Sequence, residues 1–289
     1  MMENCNEEHP SCDDDNDSLS SNNSSDNIDT ITTNITKITI TDDELYKDPP
    51  LQRDCPICFL PMPYAPGACG VNTSYQLCCG KIICDGCLLV VGTADDSKKG
   101  ENIVTNKSCC PSCQLPTHNS NKEFLERCNK RMQLNDSLVY YTLGCAQNTG
   151  KYGLAKDMNK TLELWYKAAK LGCIRAHTSL AIAYHVGQGV NKDTIKAIQH
   201  WKIAAVNGHE KARHNLGIME EHGGNVERAM KHYFIAAKSG FDSSLKEVEH
   251  GYKAGHLEEE YTSVLNAHKH SLDEMKSDQR EKAYAIANR

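Results

Sequence analysis

Several things are scarce in this 289-residue chain. No apolar run approaches the roughly 18 to 20 residues that a bilayer span needs, and the longest, near Leu88–Val91, is far too short. The N-terminal stretch "MMENCNEEHPSCDDDND" has neither a basic start nor an apolar stretch, so no secretory signal is expected there. The sequons at Asn34, Asn72 and Asn106 then have no route to glycosylation, and the thiols are expected to stay reduced, in the cytoplasm or the nucleus. Aromatic residues make up only 6% of the chain, with four Phe and two Trp, which suits a helix-leaning soluble protein. There is no phosphate-binding glycine loop, no nucleophile–base pair and no dinucleotide fingerprint, so nothing points to a hydrolase or a cofactor fold.

Acidic charge is plentiful but confined. Residues 1–48 hold 13 Asp or Glu against 2 Lys, a net charge of −11, and since the whole chain is −6 the remainder carries +5. This leader is rich in Asn, Ser and Thr and has isoleucines only in "ITTNITKITI". It cannot bury enough apolar surface to offset chain entropy, so it reads as a disordered solubilising leader. The isoleucine segment has two readings, an edge strand or a segment docked on the next domain. "KDPP" ends it.

The length allows about two ordinary domains. From Leu51 to His118 the chain is organised by cysteine, with few periodic apolar positions. Ten of the fifteen cysteines lie between Cys55 and Cys113. Disulfide scaffolds spread their bridges through a chain, whereas metal sites cluster their ligands. In "NKEFLERCNKRMQL", Phe124, Leu125, Cys128 and Met132 recur at helical spacing, which predicts a connecting helix over 119–134. An alanine-rich helical texture follows from 135 onward.

That texture is a repeat. "GLAKDMNKTLELWYKAAKLGC" from Gly153 aligns with "GVNKDTIKAIQHWKIAAVNGH" from Gly189 at an offset of 36. Asp157 meets Asp193, Trp165 meets Trp201, Ala168-Ala169 meets Ala204-Ala205, and Gly172 meets Gly208. A third copy, "ERAMKHYFIAAKSG", follows after 32 residues, with Tyr233, Ala236, Ala237 and Gly240 at those positions and a shorter loop before it. Leu143-Gly144, Leu180-Ala181 and Leu216-Gly217 mark a preceding helix in each unit. In the second unit Ala197, Trp201, Ala204 and Ala205 share one helical face, and a glycine supplies the left-handed cap. Stacked copies share the core that one copy cannot bury alone. These residues resemble Sel-one-like repeats, relatives of the tetratricopeptide repeat. The resemblance implies three helix-turn-helix units, about 135–173, 174–209 and 210–241, that bind proteins and have no chemistry of their own. Residues 242–289 read as a helical cap with a solvated charged face. Trp165 and Trp201 read as core, and His177, His185, His200, His209, His214, His222 and His232 as packing or surface residues, because they share no two-ligand register.

The cysteine spacing is C55-x2-C58-x19-C78-C79-x4-C84-x2-C87-x22-C110-x2-C113. Three CxxC pairs and one adjacent pair provide eight candidate ligands, enough for two tetrahedral zinc ions. A two-residue gap lets one tight turn present two sulfurs to one ion. A thioredoxin-like redox role needs a βαβ context, which is lacking here. Cys69 competes with Cys78, and Cys109 with Cys110, as ligands. Metal binding is expected to supply about 10 kcal/mol of folding energy per structural zinc.

"CPIC", "CGKIICDGC" and "CPSC" resemble a RING finger over about residues 54–114. The resemblance implies a small α+β cross-brace module. Cys55, Cys58, Cys84 and Cys87 would hold one structural zinc, and Cys78, Cys79, Cys110 and Cys113 the other. Lys81 stands where the commoner form has histidine, and Cys79 with Cys78 replaces it, a kink at Gly80 allowing adjacent residues to reach one ion. By the same resemblance a ubiquitin-conjugating enzyme would dock on Ile57, Leu88 and Pro111. Gln114 follows the last ligand, where a basic residue is usual; it donates hydrogen bonds but brings no charge. The expectation is a RING-type ubiquitin-protein ligase, or ligase subunit, whose repeats select substrate or partner proteins. The alternative is a non-enzymatic scaffold. Residues 51–130 carry 8 Lys or Arg against 7 Asp or Glu, so no basic footprint favours nucleic acid.

Overall fold

In the computed structural model of the chain, residues 39–50, 53–63, 73–93, 109–253 and 260–287 are described. Cys69 and the leader up to residue 38 lie outside the described residues, and so does the expectation that the leader is disordered over that part.

The repeat register builds six helices of 13 residues each. They are α4 (Ser137–Thr149) and α5 (Met158–Lys170), α6 (Ile174–Val186) and α7 (Thr194–Val206), and α8 (Glu210–His222) and α9 (Val226–Lys238). Asp157 and Asp193 cap α5 and α7, each carboxylate accepting from a backbone N–H three residues on at 3.0 Å. The third copy has the shorter loop, and its cap residue Asn225 makes no such bond. The helix ends are alike in all three copies. After α5, Gly172 N donates to Ala169 O at 2.9 Å and Cys173 N to Ala168 O at 2.9 Å, with Gly172 at φ 84°. Gly208 and Gly240 repeat this at φ 89° on the carbonyls of their own alanine pairs. The alanines therefore pack without bulk and also provide the acceptors that close each helix.

Trp165, Trp201 and Tyr233 are buried beside those alanines, as expected of core residues. Gly144 explains the Leu-Gly pairs, because a Cβ there would lie 2.7 Å from Trp165 Cδ1. At Gly217 it would lie 2.4 Å from Tyr233 Cε1. The connecting helix α3 (Asn121–Gln133) buries Phe124 and Cys128 against the first repeat, and Ser120 caps it.

The cysteine-rich module is two short hairpins and a helix. β1 (Arg53–Asp54) pairs antiparallel with β2 (Pro61–Met62), and β3 (Thr73–Gln76) pairs antiparallel with β4 (Lys81–Cys84), Thr73 opposite Cys84. Helix α2 (Asp85–Thr93) follows directly. The second hairpin is fastened to the repeats. Tyr75 OH donates to Asp136 Oδ2 at 2.7 Å, Arg131 Nε reaches the same oxygen at 2.9 Å, and Arg175 Nη2 donates to Thr73 Oγ1 at 2.8 Å.

Two expectations need correction. The reading of residues 1–48 as one disordered leader fails at its end, where α1 (Asp42–Leu45) forms and buries Leu45 in the repeat core. A reciprocal cap supports it: Glu44 N donates to Thr41 Oγ1 at 3.3 Å, and Thr41 N donates to Glu44 Oε2 at 2.9 Å. Ile40 also packs on that core, so its segment docks and does not form an edge strand at that residue. The chain end is also more than a solvated cap. Helix α10 (Asp242–Lys253) and helix α11 (Glu260–Met275) extend the stack, burying Val248 and Val264 near Tyr233 and Ala237. The end of α11 then places Leu272 and Met275 in the core of the cysteine module, and α12 (Asp278–Ala287) packs along α2. A charged helical tail can return in this way because one of its cations finds buried acceptors, described next.

Candidate metal centre

Two loops of the module are conformational copies. In "CPICFLP" Cys55 N donates to Leu60 O at 2.9 Å and Phe59 N to Cys55 O at 2.9 Å. In "CPSCQLP" Cys110 N donates to Leu115 O and Gln114 N to Cys110 O, both at 2.8 Å. Each loop turns through a left-handed residue, Phe59 at φ 57° and Gln114 at φ 59°. The pattern Cys-Pro-x-Cys-x-Leu-Pro is visible in the sequence twice and is a longer signal than the CxxC pairs alone. Such a turn points its two sulfurs to one side and its amides at the first of them. The amides of Ile57 and Cys58 favour the Cys55 thiolate, and those of Ser112 and Cys113 favour that of Cys110.

The loops bring eight sulfurs into two groups. Cys55, Cys58, Cys84 and Cys87 form one, and Cys78, Cys79, Cys110 and Cys113 the other, with all sulfurs in a group within 4.8 Å of one another. The Cys55–Cys87, Cys58–Cys84 and Cys79–Cys110 sulfur pairs are 3.9, 3.8 and 3.8 Å apart. Tetrahedral zinc with bonds of about 2.3 Å separates its sulfurs by about 3.8 Å, so the donor set fits zinc in spacing and in chemistry. The adjacent pair Cys78-Cys79 enters one cluster through the turn that closes the second hairpin, where Gly80 has φ 73°. Cys109 joins neither cluster; it bridges to Pro116 at the root of its loop. Lys81 is exposed.

The sulfurs differ in how readily they ionise. Burial works against ionising Cys55, yet the surrounding amides hold it down to about 7. Cys78 and Cys87 are pushed up, first by burial and then by neighbouring sulfur. A cation among four sulfurs this close would favour their ionised form instead. Among the described residues, no other group of three or more His, Cys, Asp or Glu has metal-binding geometry. The repeat histidines accordingly pack: His177, His200, His209 and His232 are buried in the stack.

Sequence reasoning gave no hint of Arg280. It lies on α12, is 4% exposed, and inserts into the first cysteine loop. Its Nη1 donates to Pro61 O at 2.7 Å and Met275 O at 2.8 Å, and its Nη2 to Leu60 O at 3.1 Å and Cys58 Sγ at 3.5 Å. Gly86, between Cys84 and Cys87, makes room for it, since a Cβ there would lie 2.8 Å from Arg280 N and Cγ. Arg131 similarly lies across Gly80 beside the second cluster.

Of the residues expected to meet a partner, Ile57 is 37% exposed and its loop neighbour Phe59 is 75% exposed. Pro111 is half-buried, and Leu88 packs against the core around the first cluster. Gln114 is exposed, with Nε2 turned back onto Pro111 O at 3.1 Å.

Comparison with known proteins bears on the helical part. The Sel1 repeat family model matches residues 138–173, 174–209 and 211–241. An Arabidopsis thaliana protein named "ERAD-associated E3 ubiquitin-protein ligase component HRD3B" is 31% identical over 77 residues, which are 26% of this chain and 13% of that protein. Protein SHC1 of Saccharomyces cerevisiae is 35% identical over 83 residues, 29% of this chain and 16% of SHC1. The chain thus spans less than a fifth of the length of these relatives. A Sel1 repeat protein from Oxalobacter formigenes, covering 58% of this chain and 64% of its own, superposes with a TM-score of 0.43 at 24% identity. The uropathogenic Escherichia coli antigen c5321 does so with a TM-score of 0.45 at 24% identity, over 53% of this chain and 33% of its own. No helix among the described residues is long and apolar enough to cross a membrane. The repeat register, the repeated alanine-carbonyl caps and the family match agree: residues 138–241 are three successive Sel1 repeats, an all-helical solenoid of the kind that mediates protein–protein interaction.

Proposed function

We propose that the chain is a RING-type ubiquitin-protein ligase or ligase subunit, with two structural zinc ions in the cysteine module and the repeats holding a substrate or partner protein. The observation that carries this reading is the interleaving of the cysteines, first pair with third and second with fourth, in two four-sulfur groups. Zinc would cross-link the loops there. With four sulfurs around each ion no position is left for an activated water, so the module would act by holding a charged conjugating enzyme. The exposed apolar side chains of Ile57 and Phe59 on the first loop suit such docking. That 77 residues of this chain are 31% identical to a protein named as a ligase component supports this reading.

The test is self-ubiquitination by the full chain, loaded with two zincs, across a panel of conjugating enzymes. A ladder that Ile57→Ala abolishes without changing zinc content is the expected result. Zinc-loaded wild type that forms no ladder with any enzyme overturns it. The second reading, a non-enzymatic scaffold, is favoured by Gln114, which is uncharged and whose amide is turned onto its own loop. It predicts that Ile57→Ala leaves ubiquitin transfer in cells unchanged.

A further inference from the structure

The segment Thr41–Tyr46 lies against α7, α8 and α9 of the repeats, held at three points. Leu45 is fully buried, and its carbonyl accepts from Arg213 Nη1 at 2.5 Å. Asp42 is gripped by both terminal nitrogens of Arg228, at 2.8 and 3.2 Å. The Tyr46 ring lies 5.0 Å from the buried His232 ring, and Arg228 and Lys231 stand over its face at 5.6 and 5.8 Å.

These contacts have the character of a ligand in a binding site more than of a core. Arg213 is 2% exposed, and its hydrogen bonds go to two carbonyls, those of Leu45 and Ala205, with no carboxylate partner among the described residues. A guanidinium buried on these terms is costly, so the repeat face keeps a strong donor aimed at whatever backbone lies there. His232 is fully buried with neither ring nitrogen bonded, directly beside Tyr46. The occupant contributes little to its own shape, because a four-residue helix is far below the length that is stable alone. It is held by one aliphatic anchor, one bidentate ion pair and one ring, each from a different position of a linear motif.

We infer that this cleft is a peptide-binding site of the repeats, and that Thr41–Tyr46 is a tethered occupant which an acidic partner segment of the form Asp-x-x-Leu-Tyr displaces. This rests on the repeats being a protein-binding platform and not on the ligase reading. The Arg228 and Lys231 rim matches an acidic ligand, and the Leu45 and Tyr46 positions set its apolar register. Tethering gives the internal segment an effective concentration of about millimolar, so an external peptide is expected to bind weakly until the segment is released.

The test uses the full chain and a fluorescein-labelled peptide copying residues 39–48, followed by anisotropy. Wild type is expected to bind weakly, and the double variant Asp42→Lys with Leu45→Ala at least about tenfold more tightly. The same peptide carrying Leu45→Ala is expected to lose that gain. In a second variant, Arg228→Glu, the preference is expected to switch to a peptide with Asp42→Lys, which keeps the test open if the double variant does not fold. Folded variants that bind no more tightly than wild type, or that ignore the peptide changes, overturn the proposal. No ubiquitin component is present, so either result leaves the ligase reading untouched.

Discussion

Replacing Arg280 with Met tests whether the chain end is part of the first metal centre. The change removes three carbonyl contacts, that to Met275 O buried and those to Pro61 O and Leu60 O partly so, and the contact to Cys58 Sγ. Leu60 O keeps its bond from Cys55 N, and each of the other two carbonyls, left unpaired, costs about 1–3 kcal/mol. Against this, the variant no longer buries a charge, which relieves several kcal/mol. The two effects roughly offset each other, so melting temperature is a poor reporter. Zinc release is a better one. A cation 3.5 Å from a full thiolate interacts at about 5 kcal/mol with an effective dielectric of about 20. A zinc-bound sulfur carries roughly half that charge and the neutral thiol left after release carries none, so the bound state loses about 2 kcal/mol, which at 1.4 kcal/mol per tenfold is about 30-fold faster release. The assay is chelator-challenged release from the full chain, with the second cluster as internal control. Half of the zinc is expected to accelerate and half to keep its rate. Release at the wild-type rate from both clusters, or equal acceleration of both, refutes the reasoning.

Cys78→Ser is expected to lower zinc stoichiometry from two to one per chain, while Cys109→Ser leaves two, because only the former lies in a cluster; metal analysis of the purified variants decides. Gly144→Ala forces a Cβ to within 2.7 Å of Trp165 and is expected to cost about 1–3 kcal/mol, read as a lower urea midpoint for the helical signal. Acid is expected to unfold the repeats through their buried histidines. Burial pushes His177 down to about 4 and His200, His209 and His232 to about 3, helped at His200 by its neighbour His177, whose Nδ1 is 3.0 Å away. The unfolded chain takes up these protons below pH of about 6.5 and the folded chain does not until about 4 or 3. Stability is therefore complete above pH 6.5 and falls as pH drops toward 4, by up to about 1.4 kcal/mol per unit for each histidine. Urea titrations at successive pH values measure the slope, and His200→Gln is expected to reduce it by one proton.

What could be read in advance was local in the chain. The offset of 36 residues, the alanine pairs and their following glycines specify six helices and their caps, because each depends on side chains within one or two turns of one another. The cysteine pairs were legible for a related reason: a two-residue gap obliges both sulfurs to point the same way, while the sorting of three such pairs and the adjacent Cys78-Cys79 onto two ions came only from the resemblance to a RING finger. The duplicated Cys-Pro-x-Cys-x-Leu-Pro loop could have been read as well, since its left-handed turn repeats at Phe59 and Gln114.

What only the tertiary structure decided involves single residues far apart. Arg280 reaches a loop 222 residues upstream, and Arg213 holds a carbonyl 168 residues upstream. Neither stands out in its own helix, where each is one of two Lys or Arg. A buried guanidinium is specified by carbonyls on another element, and a carbonyl leaves no trace in the identity of its residue. The sequence by itself determined the repeats and the sulfur pairs, since period and spacing act at short range. That the Thr41–Tyr46 segment docks on the second and third repeats and the tail closes on the cysteine module follows only from how the finished helices pack.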